Sequence, residues 1–135
     1  MNKLWMLIAV IVLCITCAEE PIVGQWERFG DDAAGSFVQV EAIGNTYHGI
    51  LLVPKGILVD LGFAQNDIKW RDIRAVSPNK WRGQDLIKVP DTSGSVIEAE
   101  YKDAYFTLLG DGVLEIRKFV EEEEIGTVQK WRRVR

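Results

Sequence analysis

A chain of 135 residues has room for one domain and not two. Its formal net charge of -4 at pH 7 supplies no global field that would gather nucleic acid or anionic lipid. With 47% hydrophobic and 27% charged residues, the composition is that of a globular protein and excludes a disordered one.

Residues 1–18 differ in kind from the rest. Lys3 gives a positive start, Leu4 to Ile15 is unbroken apolar sequence, and Thr16-Cys17-Ala18 puts small residues before Glu19-Glu20. This is the anatomy of a secretory signal peptide, and the run is short for a membrane span of roughly 20 apolar residues. Two routes of processing are open. Cleavage after Ala18 would leave an exported protein, periplasmic or secreted, and lipidation of Cys17 would anchor it to a membrane. Cys14 and Cys17 both lie in this segment, so residues 19–135, read as the single folded domain, hold no disulfide, thiol nucleophile or thiolate metal site. Such a domain depends on its core.

From residue 19 onward no helical period of 3.6 is evident; short runs of Val, Ile, Thr and aromatic residues alternate with Gly, Asn, Asp and Pro. Strands are predicted over 22–29 and 35–43, where Val38, Val40 and Ala42 share one face and Gln39 and Glu41 the other. Gly44-Asn45 is a hairpin signal leading to 46–53. Residues 54–66 read as a short helical turn, a strand or a lid over one end of the domain. Strands over 67–76 and 81–89 flank Ser77-Pro78-Asn79; strands over 95–101 and 104–109 follow the turn cluster from Pro90 to Gly94. Gly110-Asp111-Gly112 links to 113–120, and 127–134 closes the chain after Glu121-Glu122-Glu123-Glu124 and Gly126. The pattern predicts an all-β fold, an antiparallel sandwich or an up-and-down barrel; consecutive hairpin links favour the barrel, of about 8–10 strands, in which closure removes the exposed sheet edges.

Lys-Trp-Arg occurs three times, at Lys69-Trp70-Arg71, Lys80-Trp81-Arg82 and Lys130-Trp131-Arg132. A nucleic-acid stacking platform needs aromatic and basic groups on one surface, whereas strand alternation sends each Trp to one face and its two cations to the other. The triplets therefore read as three independent strands, each burying an indole and solvating two charges, and no nucleic-acid partner is expected. His48, the sole histidine, reads as a surface strand residue. The aspartates Asp31, Asp32, Asp60, Asp67, Asp72, Asp85, Asp91 and Asp103 mostly fall where turns favour Asp, and none forms a calcium-loop ladder. No P-loop, nucleophile elbow, zinc-protease or dinucleotide motif is present, so no catalytic residue, metal or cofactor is assigned. At the two ends of the domain, Gly24-Gln25-Trp26 and Trp131-Arg132-Arg133 belong to strands that meet when the barrel closes. Trp26 and Trp131 would plug one end, Gly24 would admit a close neighbour, and Arg133, chosen over Arg132 on face parity, would stack on an indole.

These pieces resemble the lipocalin and fatty-acid-binding superfamily. More closely, the chain resembles the exported bacterial proteins of domain-of-unknown-function family 2147. The matching pieces are Pro21 to Trp26, Tyr47-His48-Gly49-Ile50, Lys80-Trp81-Arg82-Gly83 before Pro90-Asp91 and Gly94, Gly110 to Leu114 before Val120, then Gly126 and the closing Trp131-x-Arg133. The resemblance implies a small lipocalin-like barrel and no established activity. The leading expectation is a binding module for a small apolar or lipid-like ligand, with Tyr47, Trp70, Tyr101 and Tyr105 as candidates for the cavity wall. The alternative is a structural or envelope-stress protein whose core is solid and whose surface makes the contacts. An enzyme is the third reading, and a membrane is a partner only through lipidated Cys17.

Overall fold

Runs rich in β-branched and aromatic residues, with one apolar and one polar face, satisfy their backbone groups by pairing edge to edge. The structure, a computed structural model, describes residues 20–95 and 97–134. Cys17 and Ala18, on which the two processing routes turn, lie outside the described residues. The strands are β1 (Gly24–Phe29), β2 (Phe37–Ile43), β3 (Thr46–Val53), β4 (Ile68–Ser77), β5 (Lys80–Pro90), β6 (Ile97–Leu108), β7 (Val113–Val120) and β8 (Glu123–Arg133). One helical turn, α1 (Ile57–Asp60), stands between β3 and β4. Each strand pairs antiparallel with the next, and β8 returns to β1 through Trp26↔Arg133 and Arg28↔Trp131, closing the barrel.

One expectation needs correcting: the two strands predicted over 95–101 and 104–109 are a single strand, β6. It pairs with β5 without interruption from Lys80↔Thr107 to Pro90↔Ile97. Lys102-Asp103 offers neither Gly nor Pro to turn the chain, and the continuous ladder carries it through.

Successive strands alternate in direction, so the connections divide between two ends. The β2–β3, β4–β5 and β6–β7 hairpins share one end with the start of β1 and the finish of β8; we call it the strap end, because residues 20–23 tie it off. The β1–β2, β3–β4, β5–β6 and β7–β8 connections form the opposite, lid end, which carries α1. Between them, Trp26, Trp70, Trp81, Trp131 and Phe106 are all buried. Trp70 meets Phe106 and Trp131 edge-on, at centroid distances of 5.4 and 5.0 Å. Gly49 makes this possible: a Cβ there would stand 2.6 Å from Trp70 Cε3.

At the strap end Ile22 is fully buried and its carbonyl accepts the Trp26 indole N–H at 2.9 Å. The Arg133 guanidinium lies 4.4 Å from the Trp26 ring centroid and donates to the carbonyls of Val23 (2.9 Å) and Pro21. Gly24 opens β1 at φ 135°, a conformation that side chains disfavour. The closing cation–π pair is thus Trp26 with Arg133. Trp131 sits deeper, with the guanidinium of Arg28 5.3 Å from its ring centroid.

Candidate functional site at the lid end

The site begins with an irregularity in β4. Gly49 pairs with Trp70 and Ile50 with Ile68, leaving Lys69 as the extra residue of a β-bulge. A bulge breaks strand alternation, so Lys69 and Trp70 are both buried although adjacent, Lys69 at 2% exposure. This overturns the expectation for the first Lys-Trp-Arg copy, whose lysine is not solvated. In the other two copies alternation holds: Trp81 and Trp131 are buried, while Lys80, Arg82, Lys130 and Arg132 are exposed.

The Lys69 ammonium donates to Asp85 Oδ1 and to the Leu86 carbonyl (2.7 Å). Asp85, which the sequence grouped with turn aspartates, is fully buried inside the barrel. Its other oxygen accepts from Gln129 Nε2 at 2.9 Å, and Gln129 Oε1 accepts the Trp131 indole N–H at 3.3 Å. The network therefore links β4, β5 and β8. Burial pulls the Lys69 pKa below its ordinary value; Asp85 opposes this, and the nearby Arg28 and Lys118 charges add to it.

The segment between β3 and β4 covers this network, and it folds as a helical turn, one of the three forms the sequence allowed. Leu58 of α1 and Phe63 are buried, and the Ile57 N–H donates to the Asp32 carbonyl of the β1–β2 connection at 2.9 Å. Lys88 reaches up to the Gly62 carbonyl (3.0 Å) and Asp67 (3.3 Å). The Lys69 and Lys88 ammoniums stand 5.2 and 4.9 Å from the Phe63 ring centroid.

Beneath the lid lies a mouth of about 240 Å³. Ile57, Leu58, Leu61 and Phe63 wall it from the lid, and Leu86, Ile87 and Val89 from β5. Its polar lining is Gln129 and four cations, Arg28, Lys69, Lys88 and Lys118. Lys118 continues the inward face of Leu114 and Ile116, pairs with the buried Ala104 of β6, and lies beside Gly126 of β8. A larger open groove of about 340 Å³ runs along the outer wall past Asp72, Arg74, Arg82 and Asp103. Those side chains are exposed and of both signs, and they do not converge on a buried group.

None of the four residues proposed for a cavity wall lines this mouth. Trp70 fills the middle of the barrel. Tyr47 is half-buried, packs against the core and shares the inward face of Gly49 and Leu51. Tyr101 and Tyr105 lie on the outer wall, because the unbroken β5–β6 ladder sets them on the face opposite Ala104 and Phe106. Tyr101 donates to the Ile68 carbonyl at 2.6 Å and lies 3.6 Å below the Arg71 guanidinium. Burial raises its pKa and Arg71 opposes the shift. Tyr105 stacks edge-on with Phe119 at 5.2 Å and faces Lys80. His48 pairs with Glu41 at 3.0 Å on the strand face opposite Gly49. Among the described residues no three His, Cys, Asp or Glu side chains could hold a metal ion. Comparison with protein-family models, with curated proteins and with solved structures finds no match.

The lid segment was among the forms the sequence allowed, but the polar residues beneath it, Lys69, Asp85, Lys118 and Gln129, went unread because each looks ordinary in sequence. The available signal was Asp85 in the interior of the predicted strand 81–89, a place where Asp is depleted.

Proposed function

We propose that this protein is a binding module that holds a small amphipathic molecule in the mouth of its barrel. One observation carries the reading: an apolar-walled mouth opens over a buried polar floor, while aromatic side chains occupy the interior beyond it. Small-molecule sites combine apolar walls with a few convergent polar groups in this way. The same proposal places the protein outside the cytoplasm, on the character of residues 1–18, and among the lipocalin-like proteins of family 2147, on the resemblance described above. Native mass spectrometry of the purified protein checks the first part: a co-purifying small molecule, lost on denaturation, is the expected result. Protein that carries nothing and takes up no amphiphile on titration refutes it. The intact mass of the exported form separates the two processing routes, since cleavage after Ala18 leaves Glu19 first and acylation of Cys17 adds a diacylglycerol.

A second reading, a protein acting through its surface, is supported by exposed aliphatic side chains at the strap end. Ile43, Val76 and Leu109 each stand beside a hairpin tip there, with Val134 beyond β8.

A further inference from the structure

We infer that the molecule held in the mouth carries a single anionic headgroup seated on the Lys118 ammonium, with a short apolar part against Phe63 and α1. This rests on the mouth being the binding site, and it adds the chemistry of the ligand. Arg28 is paired with Asp31, Lys69 with Asp85 and Lys88 with Asp67. Each carboxylate is also held by a second group: Asp31 accepts the Ala33 N–H, Asp67 the Ala64 N–H and Asp85 the Gln129 amide. Lys118 has no hydrogen-bond or ion-pair partner among the described residues, and no carboxylate lines the mouth. It is half-buried, on an inward-facing position of β7. A cation held against low-dielectric walls beside other cations is costly without a counter-charge. An anion entering the mouth supplies that counter-charge and displaces none of the existing pairs.

Two further features narrow the class. The mouth, at about 240 Å³, lies below the range of roughly 300–1,000 Å³ that encloses drug-sized ligands, which favours a short chain. Outside the mouth the lid-end connections carry carboxylates, Asp32, Asp60, Asp91, Glu121 and Glu122, and Glu123 opens β8 beside them. Such a collar repels a polyanion more strongly than a monoanion. The fitting class is therefore a short-chain carboxylate or a comparable monoanionic amphiphile.

The test is calorimetric titration of the full chain with octanoate, octanol and inorganic phosphate, repeated on Lys118→Met and Lys118→Arg. Residues 1–19 are common to every variant, so their contribution cancels. The expected result is octanoate binding about tenfold or more tighter than octanol, the gain of one charge-assisted hydrogen bond. That preference disappears in Lys118→Met and returns in Lys118→Arg, while phosphate alone does not bind. Thermal melting of Lys118→Met is expected to match or exceed wild type, which shows the loss is not unfolding. Equal binding of octanoate and octanol, or an unchanged preference in Lys118→Met, overturns the anionic seat and leaves the mouth as a site for neutral molecules. Binding of phosphate as tight as that of octanoate overturns the amphiphilic part. Failure of both octanoate and octanol to bind overturns the mouth itself.

Discussion

At the strap end Arg133 lies over Trp26 and gives its hydrogen bonds to backbone carbonyls of the strap. At the lid end Arg28 and Lys69 also lie near aromatic rings, of Trp131 and Phe63, yet each needs a carboxylate partner. The difference is exposure. Arg133 keeps contact with water, so a ring face and carbonyl dipoles suffice. Lys69 has left water, and only a full counter-charge, with both of its oxygens engaged, makes that burial tolerable. A sealed end can thus be made from one aromatic residue and an exposed cation. A barrel end that carries buried charge is organised around its polar groups.

The largest expected effect tests the lid end. Lys69→Met leaves the Asp85 carboxylate buried with Gln129 alone and should cost about 3–5 kcal/mol of stability in denaturant unfolding. The double variant Lys69→Met with Asp85→Leu should recover most of it, because an apolar pair of similar volume replaces the ions. A single variant as stable as wild type would mean that the pair is not isolated from water, and the contrast between the ends would lapse. Next comes the filled middle that separates the ends. Gly49→Ala forces a methyl against Trp70 and should cost about 1–3 kcal/mol, read as a lower denaturant midpoint at unchanged slope.

Arg133→Ala tests the strap end. Losing a cation–π contact and two hydrogen bonds from a partly solvated side chain should cost about 1–2 kcal/mol and leave octanoate binding unchanged. An unchanged melting temperature would remove Arg133 from the closure, and altered ligand binding would show that the two ends are coupled. The smallest effect is in pH. The folded-state pKa of Lys69 lies below its ordinary value of 10.5, so above the folded value the unfolded chain binds the extra proton. The penalty of burying Lys69 is complete below its folded pKa and is relieved as pH climbs from there to 10.5. Wild type should therefore gain stability relative to the Lys69→Met, Asp85→Leu double variant as pH rises from neutrality, measured by denaturant titration at each pH. A difference that stays flat or widens the other way would contradict the burial argument.

Much of the fold was legible in order. The Gly44-Asn45 and Gly110-Asp111-Gly112 hairpins and the alternation of Val38 and Val40 with Gln39 and Glu41 follow from local rules of turn and parity. The merging of two predicted strands into β6 was not legible, because pairing along all of β5 outweighs a weak local break at Lys102-Asp103. The candidate site was hidden more thoroughly. Four large aromatic residues were natural choices for a cavity wall, but parity measured from Ala104 and Phe106 turns Tyr101 and Tyr105 outward. Lys69 read as a solvated cation of its triplet, and nothing local distinguishes Lys118 or Gln129.

Of the three Lys-Trp-Arg copies, strand alternation by itself determined that each Trp would be buried, and in two copies that the cations would be exposed, since the period of two is a property of any regular strand. Net charge and composition likewise set the class of the molecule without reference to its shape. Only the tertiary structure decided the fate of the remaining copy. The bulge that places Lys69 inside arises from how β4 fits against β3, where the Trp70 indole lies over Gly49. The counter-charge that makes it tolerable comes from β5, sixteen positions along the chain. Long-range pairing brings those groups together, and the free energy of a buried charge depends on what surrounds it rather than on its neighbours in sequence.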